Sequence, residues 1–367
     1  MHIDTTISAN PTNAARLAEI LASPGFGTHF SDHMVTIEWT PEKGWHDARI
    51  TPYGPITLDP AAAVLHYAQE TFEGIKAYRH DDDSLWLFRP NANAERMKDS
   101  NRRLALPVLE TQDFVQSVEK LVQVDACWVP GNPDGGEKSL YLRPFMFASE
   151  RFLGVRPARH VTFMVIASPA GAYFKGGVRP VTLWLTTEYT RAGRGGTGAA
   201  KTGGNYASSL VAQQEAAANG CDQVVFLDAQ EGGYVEELGG MNMYFVYDDG
   251  SIVTPQTGTI LEGITRSSII ELAGKMGHNV TERKISVDEW RDGVASGRIT
   301  EIFACGTAAV VTPVGALKFR EGAIPAPVRQ DVTMRIRQAL VDIQFGRTQD
   351  TLGWMHRIAA RPSSPRM

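Results

Sequence analysis

Cysteine is scarce in this chain of 367 residues: Cys127, Cys221 and Cys305 are scattered and odd in number. They show no metal-ligand spacing and suggest a reducing compartment, so the expectation is a cytoplasmic protein without a metal. Excess charge of one sign is also missing. A net charge of −5 leaves no basic patch and argues against a nucleic-acid partner. No apolar run approaches the length of a membrane span. The opening Met-His-Ile-Asp-Thr-Thr has neither the apolar core of a signal peptide nor the arginines of a transit peptide. What is present is an ordinary globular composition, 43% hydrophobic and 21% charged, in a chain long enough for two domains.

Strand-like and helix-like segments alternate, which predicts an α/β or α+β fold. A short helix is expected near Asn13–Ala22 and a strand at Met34–Trp39. Pro60–Glu70 reads as helical, and Gly74–Tyr78 with Leu85–Phe88 as a hairpin around an Asp-rich turn. Asn93–Leu104 and Asp113–Val122 read as helices, Ser139–Ala148 and Val161–Ser168 as strands. The Gly- and Pro-rich stretch 169–180 is expected to link a smaller domain, 1–168, to a larger one, 181–367. In the second domain, strands are expected at Val181–Glu188 and Gln223–Asp228. A hairpin should turn at Asp249-Gly250, and Glu301–Pro313 should be β-structure broken at Gly306. Tyr206–Ala218, Ile264–Met276, Gln330–Gln344 and Gly353–Ala360 read as helices.

The most informative stretch runs from Arg191 to Tyr206, where one lysine, Lys201, stands between two clusters of glycine. Glycine permits sharp bends and close approach to a ligand. A lysine held away from water there can lose its proton and attack a carbonyl carbon; taken alone, it reads first as a solvated loop lysine, and its neighbours change that. Tyr206 could meet a phenolic oxygen or simply start a helix. Glu236 and Glu237 precede an apolar hairpin; an inward carboxylate there would need a cation, while an exposed pair would not. Leu261 to Arg266 leads into a helix whose free amides could hold an anion, with Gly263 allowing close approach, or could be a plain cap turn. Gly306-Thr307-Ala308 could add donors or form a bulge. Arg96 on its helix could clamp a phosphate or face solvent. Tyr141 and Arg143 share a strand face by period two, which suits a substrate part apolar and part carboxylate, or a solvated face.

Together these segments resemble the branched-chain amino-acid aminotransferases of the fold-type-IV pyridoxal-phosphate enzymes. The likeness is carried by Phe72-Glu-Gly-Ile-Lys-Ala77, Leu87-Phe-Arg-Pro90, Arg96-Met97, Tyr141-Leu-Arg-Pro144 and Gly171-Ala-Tyr-Phe174. It continues through Lys201-Thr-Gly-Gly-Asn-Tyr206, Glu237-Leu-Gly-Gly-Met-Asn242, Leu261-Glu-Gly-Ile-Thr-Arg266 and Gly306-Thr-Ala308, from about residue 30 almost to the C-terminus.

The resemblance implies a two-domain α/β (α+β) fold with mixed sheets and the active site at the domain interface. It implies pyridoxal 5′-phosphate bound to Lys201 as a Schiff base, with Glu237 on the pyridine nitrogen and Tyr206 on the phenolic oxygen. Arg96, Ile264, Thr265 and Thr307 would hold the phosphate. Tyr67, Phe72, Tyr141 and Tyr173 would wall the side-chain pocket, with Arg143 taking the distal carboxylate of glutamate and Thr307 and Ala308 the α-carboxylate. The family is homodimeric, with Val155 and its loop reaching the partner's pocket. The implied reaction moves an amino group between leucine, isoleucine or valine and 2-oxoglutarate. Two departures stand out. Ala309 and Thr312 occupy the places of a redox-active Cys-x-x-Cys found in some relatives, and Gly240 stands where many carry threonine. The rival readings are a D-amino-acid aminotransferase or aminodeoxychorismate lyase of the same fold, and a binding or scaffold protein that has lost the chemistry.

Overall fold

The computed structural model describes residues 1–171 and 178–359. The chain divides into two compact units, Met1–Tyr173 with Asp342–Met367, and Phe174–Val341.

The first unit is built on a sheet in which Val161–Ala170 lies between His33–Thr40 and Ser139–Ala148. The order runs Asp4–Thr5, Gly44–Pro52, His33–Thr40, Val161–Ala170, Ser139–Ala148, Ile75–Arg79, Leu85–Phe88 and Met355–Arg357, with Glu70–Phe72 also paired to Ser139–Ala148. Among the described residues, every pairing in this sheet is antiparallel except that of Asp4–Thr5 with Gly44–Pro52. The central strand is buried almost throughout, in keeping with a mainly apolar sequence interrupted by Thr162 and Ser168. Helix Thr111–Val124 turns Phe114, Val118, Leu121 and Val122 inward at helical spacing, and Phe114 meets Phe163 of the central strand at 5.9 Å between ring centres. Each such side chain contributes roughly 1.5–3 kcal/mol by leaving water.

The second unit carries a mixed sheet in the order Val235–Leu238, Gln223–Leu227, Val181–Leu185, Val310–Phe319, Ile299–Gly306, Asn242–Tyr247, Ile252–Thr254 and Val280–Glu282. Val181–Leu185 and Gln223–Leu227 are parallel, so the chain between them must cross over. That crossover holds the glycine-rich loop and the helices Gly203–Ala207 and Leu210–Ala218. Ala212 and Ala216 are small enough to bring the second helix close to Trp184, Val224 and Phe226. The sheet's other face packs Leu183, Val225, Met243, Phe245 and Ile302 with Trp290 from helix Val287–Ala295.

Several expectations change. Within the stretch expected to be a linker, 169–180, Pro169 and Ala170 end a strand, and residues 172–177 lie outside the described residues. Pro60–Glu70 is helical only over Ala63–Tyr67, because Ala68 turns left-handed at φ 48° and Glu70 enters the sheet. Tyr206–Ala218 divides into two helices around Ser208 and Ser209. The stretch expected as a helix at Gly353–Ala360 is not helical over its described residues, 353–359. Met355–Arg357 forms an edge strand on Leu85–Phe88, so the described residues 342–359 group with the first unit, although the expectation placed them in a domain spanning 181–367.

Candidate active site

Lys201 sits at the end of the glycine-rich loop, half-buried, immediately before helix Gly203–Ala207. That single turn brings Tyr206 back against it, and Lys201 Nζ donates to Tyr206 Oη at 2.7 Å. The loop needs glycine at position 198, because a Cβ there would run into the carbonyl oxygen of Thr259. Asn205 fixes the loop from behind, its Nδ2 donating to the carbonyls of Thr197 and Ala200 at 2.8 Å each.

Strand Val235–Leu238 is buried along its length. Glu236 is held by the Thr259 hydroxyl. Glu237 forms an ion pair with Arg191 at 2.7 Å and accepts from the Leu261 amide at 3.3 Å. Burial pushes the Glu237 carboxyl up to about 7, and the neighbouring Arg191 guanidinium is the largest influence opposing that rise. The sequence points to a ligand as the cation for this acid; the protein itself provides one in Arg191. The signal was available, since a buried acid demands a cationic partner. The spacing between residues 191 and 237 gave no way to choose which one.

Helix Ile264–Lys275 begins at Gly263 with no side-chain cap. Its entry is set by Asn242, whose Nδ2 donates to Leu261 O at 3.1 Å and whose Oδ1 lies where a Cβ on Gly263 would fall. Ile264 and Thr265 are buried in the first turn, where amide groups and the helix dipole favour an anion. Thr307 and Ala308 form the turn between Ile299–Gly306 and Val310–Phe319. The turn leaves through Val310 at φ 61°, a left-handed conformation that is unfavourable for a branched side chain. Gly240 is open toward Tyr206: a Cβ there would meet the ring only at 3.6 Å.

In the first unit, Phe72, Tyr141 and Arg143 come together. The Arg143 guanidinium lies 4.7 Å from the Phe72 ring centre and 5.4 Å from that of Tyr141, and its Nη2 donates to Tyr141 Oη at 3.0 Å. Phe26, from the N-terminal arm, packs edge-on against Tyr141 at 5.1 Å. Arg96 is not solvent-facing. Its Nε and Nη2 grip both oxygens of Glu73 at 2.8 Å, and Glu73, fully buried, also accepts from Asn93 Nδ2 at 2.8 Å. The sequence does not single out Glu73 and Asn93, because nothing local marks a buried acid on a strand end. Tyr67 donates to Leu153 O, and Val155 on the same loop is 89% exposed. Tyr173 lies outside the described residues.

Gly74 explains how closely this cluster is packed, since a Cβ there would collide with Tyr141 Oη. Gly74→Ala is expected to cost the roughly 1–3 kcal/mol typical of overpacking. Denaturant unfolding checks this, and adding Tyr141→Phe should return part of the loss, because Oη is the nearest atom. No recovery would mean the strain falls elsewhere.

The family model for amino-transferase class IV matches residues 70–317. The chain is 55% identical over 364 residues to the branched-chain-amino-acid aminotransferase of Mycolicibacterium smegmatis, covering 97% of this chain and 98% of that protein. Among solved structures, the Escherichia coli branched-chain amino acid aminotransferase aligns with a TM-score of 0.73 at 27% identity, covering 88% of this chain and 99% of that one. A T.th. branched-chain amino acid aminotransferase, solved with pyridoxamine 5′-phosphate, aligns at 0.72 and 29%, covering 88% and 98%. Both alignments reach across the two mixed α/β sheets described above. The chain belongs to the class IV aminotransferases, within the branched-chain amino-acid aminotransferase family.

Proposed function

We propose that the chain transfers the amino group between leucine, isoleucine or valine and 2-oxoglutarate, using pyridoxal 5′-phosphate held at Lys201. The observation that carries this reading is the set in the second unit: a lysine amine against a phenol, a buried carboxylate and an uncapped helix start. The near full-length likeness to relatives named for branched-chain substrates supports it over the D-amino-acid and lyase alternatives.

The residues fit such a group. Glu237 is a buried acid able to balance a protonated ring nitrogen. Tyr206 can donate to a phenolic oxygen, and the amides of Ile264 and Thr265 suit a phosphate, with Arg96 and Thr307 as further holders. When bound, the cofactor supplies an electron sink that makes the substrate Cα–H acidic. Lys201 Nζ, the amine that would hold the cofactor, would also be the base placed to take the substrate's Cα proton. Tyr206 Oη holds that amine in place at 2.7 Å. The amides of Thr307 and Ala308 would take the α-carboxylate. Phe72, Tyr67, Tyr141 and Tyr173 would accept the hydrocarbon side chain.

One pocket must admit a hydrocarbon in one half-reaction and a carboxylate in the other. Arg143, flanked by Phe72 and Tyr141, offers both kinds of surface. Arg143→Ala should lower kcat/KM for glutamate and 2-oxoglutarate about 10- to 100-fold, the worth of a charged hydrogen bond at about 1.5–3 kcal/mol. Leucine should be affected far less. Steady-state kinetics on both substrates decides it, and equal losses would remove Arg143 from this role. The reading also takes the enzyme to be a cytoplasmic homodimer. The exposed apolar side chains Leu153 and Val155 support a subunit contact, and three free cysteines support a reducing compartment.

A further inference from the structure

Arg191 has no part in the function as set out so far, yet it is among the most buried charges in the second unit, with a side chain 1% exposed. It stands between two residues of the site. Its Nη1 is 2.7 Å from Glu237 Oε1, and its guanidinium carbon is 5.7 Å from the Tyr206 ring centre. The same Nη1 reaches Gly198 O at 3.4 Å, which ties it to the loop that ends in Lys201. Both groups that hold Glu237, Arg191 and the Leu261 amide, act on Oε1. Among the described residues Oε2 receives no hydrogen bond, and Arg191 Nε and Nη2 have no partner either.

We infer that Arg191 is a positioning residue for the cofactor ring: it pins Glu237 through Oε1, opposes its protonation, and so presents Oε2 to the ring nitrogen. This rests on the reading of Glu237 given above. A carboxylate this deeply buried takes up a proton unless a cation stands beside it. A protonated Glu237 would no longer balance a charged ring nitrogen, and the ring would become a weaker electron sink. Lys201 is turned to Tyr206 and, as the proposed base, must pass through an uncharged state, so it is no fixed cation for Glu237. Arg191, which stays charged throughout, is one.

The test is a double-mutant cycle on the full chain with Arg191→Met, Glu237→Gln and both, plus Arg191→Lys. The readouts are the dissociation constant for pyridoxal 5′-phosphate and the carboxylic-acid band of Glu237 in infrared difference spectra. An opposite charge at this range moves a carboxylate by about 1–3 pKa. Arg191→Met should therefore weaken cofactor binding at least about tenfold and make the acid band appear, while Arg191→Lys keeps most of the affinity. On the Glu237→Gln background the Met substitution should add little. Additive losses, or a lysine variant as weak as the methionine one, would overturn the inference. If Arg191→Met does not fold, the unsubstituted holoenzyme decides: a Glu237 acid band at neutral pH overturns the inference, and its absence upholds it. Failure of the underlying reading looks different, because Glu237→Gln would then bind and absorb like the parent.

Discussion

Lys201→Ala should abolish transamination, with kcat falling by at least about a thousandfold, the scale of losing the residue proposed as both covalent partner and proton carrier. The fold should survive. Lys201 donates a hydrogen bond at 2.7 Å to a half-buried phenol, and it leads a one-turn helix anchored separately through Asn205 and Ser209. Circular dichroism and unfolding should thus match the parent while leucine turnover disappears. Added primary amines should restore a small fraction of the rate, since the missing function is that of an amine. A variant retaining more than about a tenth of parental kcat would show that the proton is carried by another group.

Glu237→Gln preserves shape and removes charge. We expect leucine turnover to drop roughly 100-fold or more, comparable with losing one preorganised charge-stabilising group. The cofactor should still become bonded to Lys201, and measuring turnover and labelling on the same sample separates the two. There is a matching effect on stability. In the cofactor-free protein burial raises Glu237 from 4.5 to about 7. The folded state therefore holds a proton that the unfolded chain gives up. The stabilising contribution is complete below about 4.5 and is lost as pH rises through about 7. The parent should lose stability relative to the glutamine variant across that window, as read by urea unfolding at several pH values. A constant difference would mean that Glu237 is ionised throughout.

Local signals in the sequence located much of the second unit. Asp249-Gly250 marked the hairpin that joins Asn242–Tyr247 to Ile252–Thr254, and Gly306 marked the break between Ile299–Gly306 and Val310–Phe319. In the first unit, Asn13 was legible as a helix start, and its side chain caps Arg16 N at 2.9 Å. Lys201 and Tyr206 are five residues apart, so one helical turn was enough to join them. What failed was whatever depended on a distant partner. Residues 353–360 have helix-compatible composition, yet Met355 pairs with Phe88, and no local pattern encodes that choice. Arg191 and Glu237 are joined only because the crossover loop folds back past Thr259. Arg96 was read for its charge alone, and its bidentate partner Glu73 lies 23 residues earlier on another element.

The proposed function requires a covalent bond between Lys201 Nζ and the aldehyde carbon of pyridoxal 5′-phosphate. Borohydride reduction of the yellow holoenzyme, followed by proteolysis and mass mapping, tests it in one step. The expected result is a single phosphopyridoxyl-modified peptide with the label on Lys201. A label on any other lysine, or protein that binds the cofactor and carries no label, would contradict it.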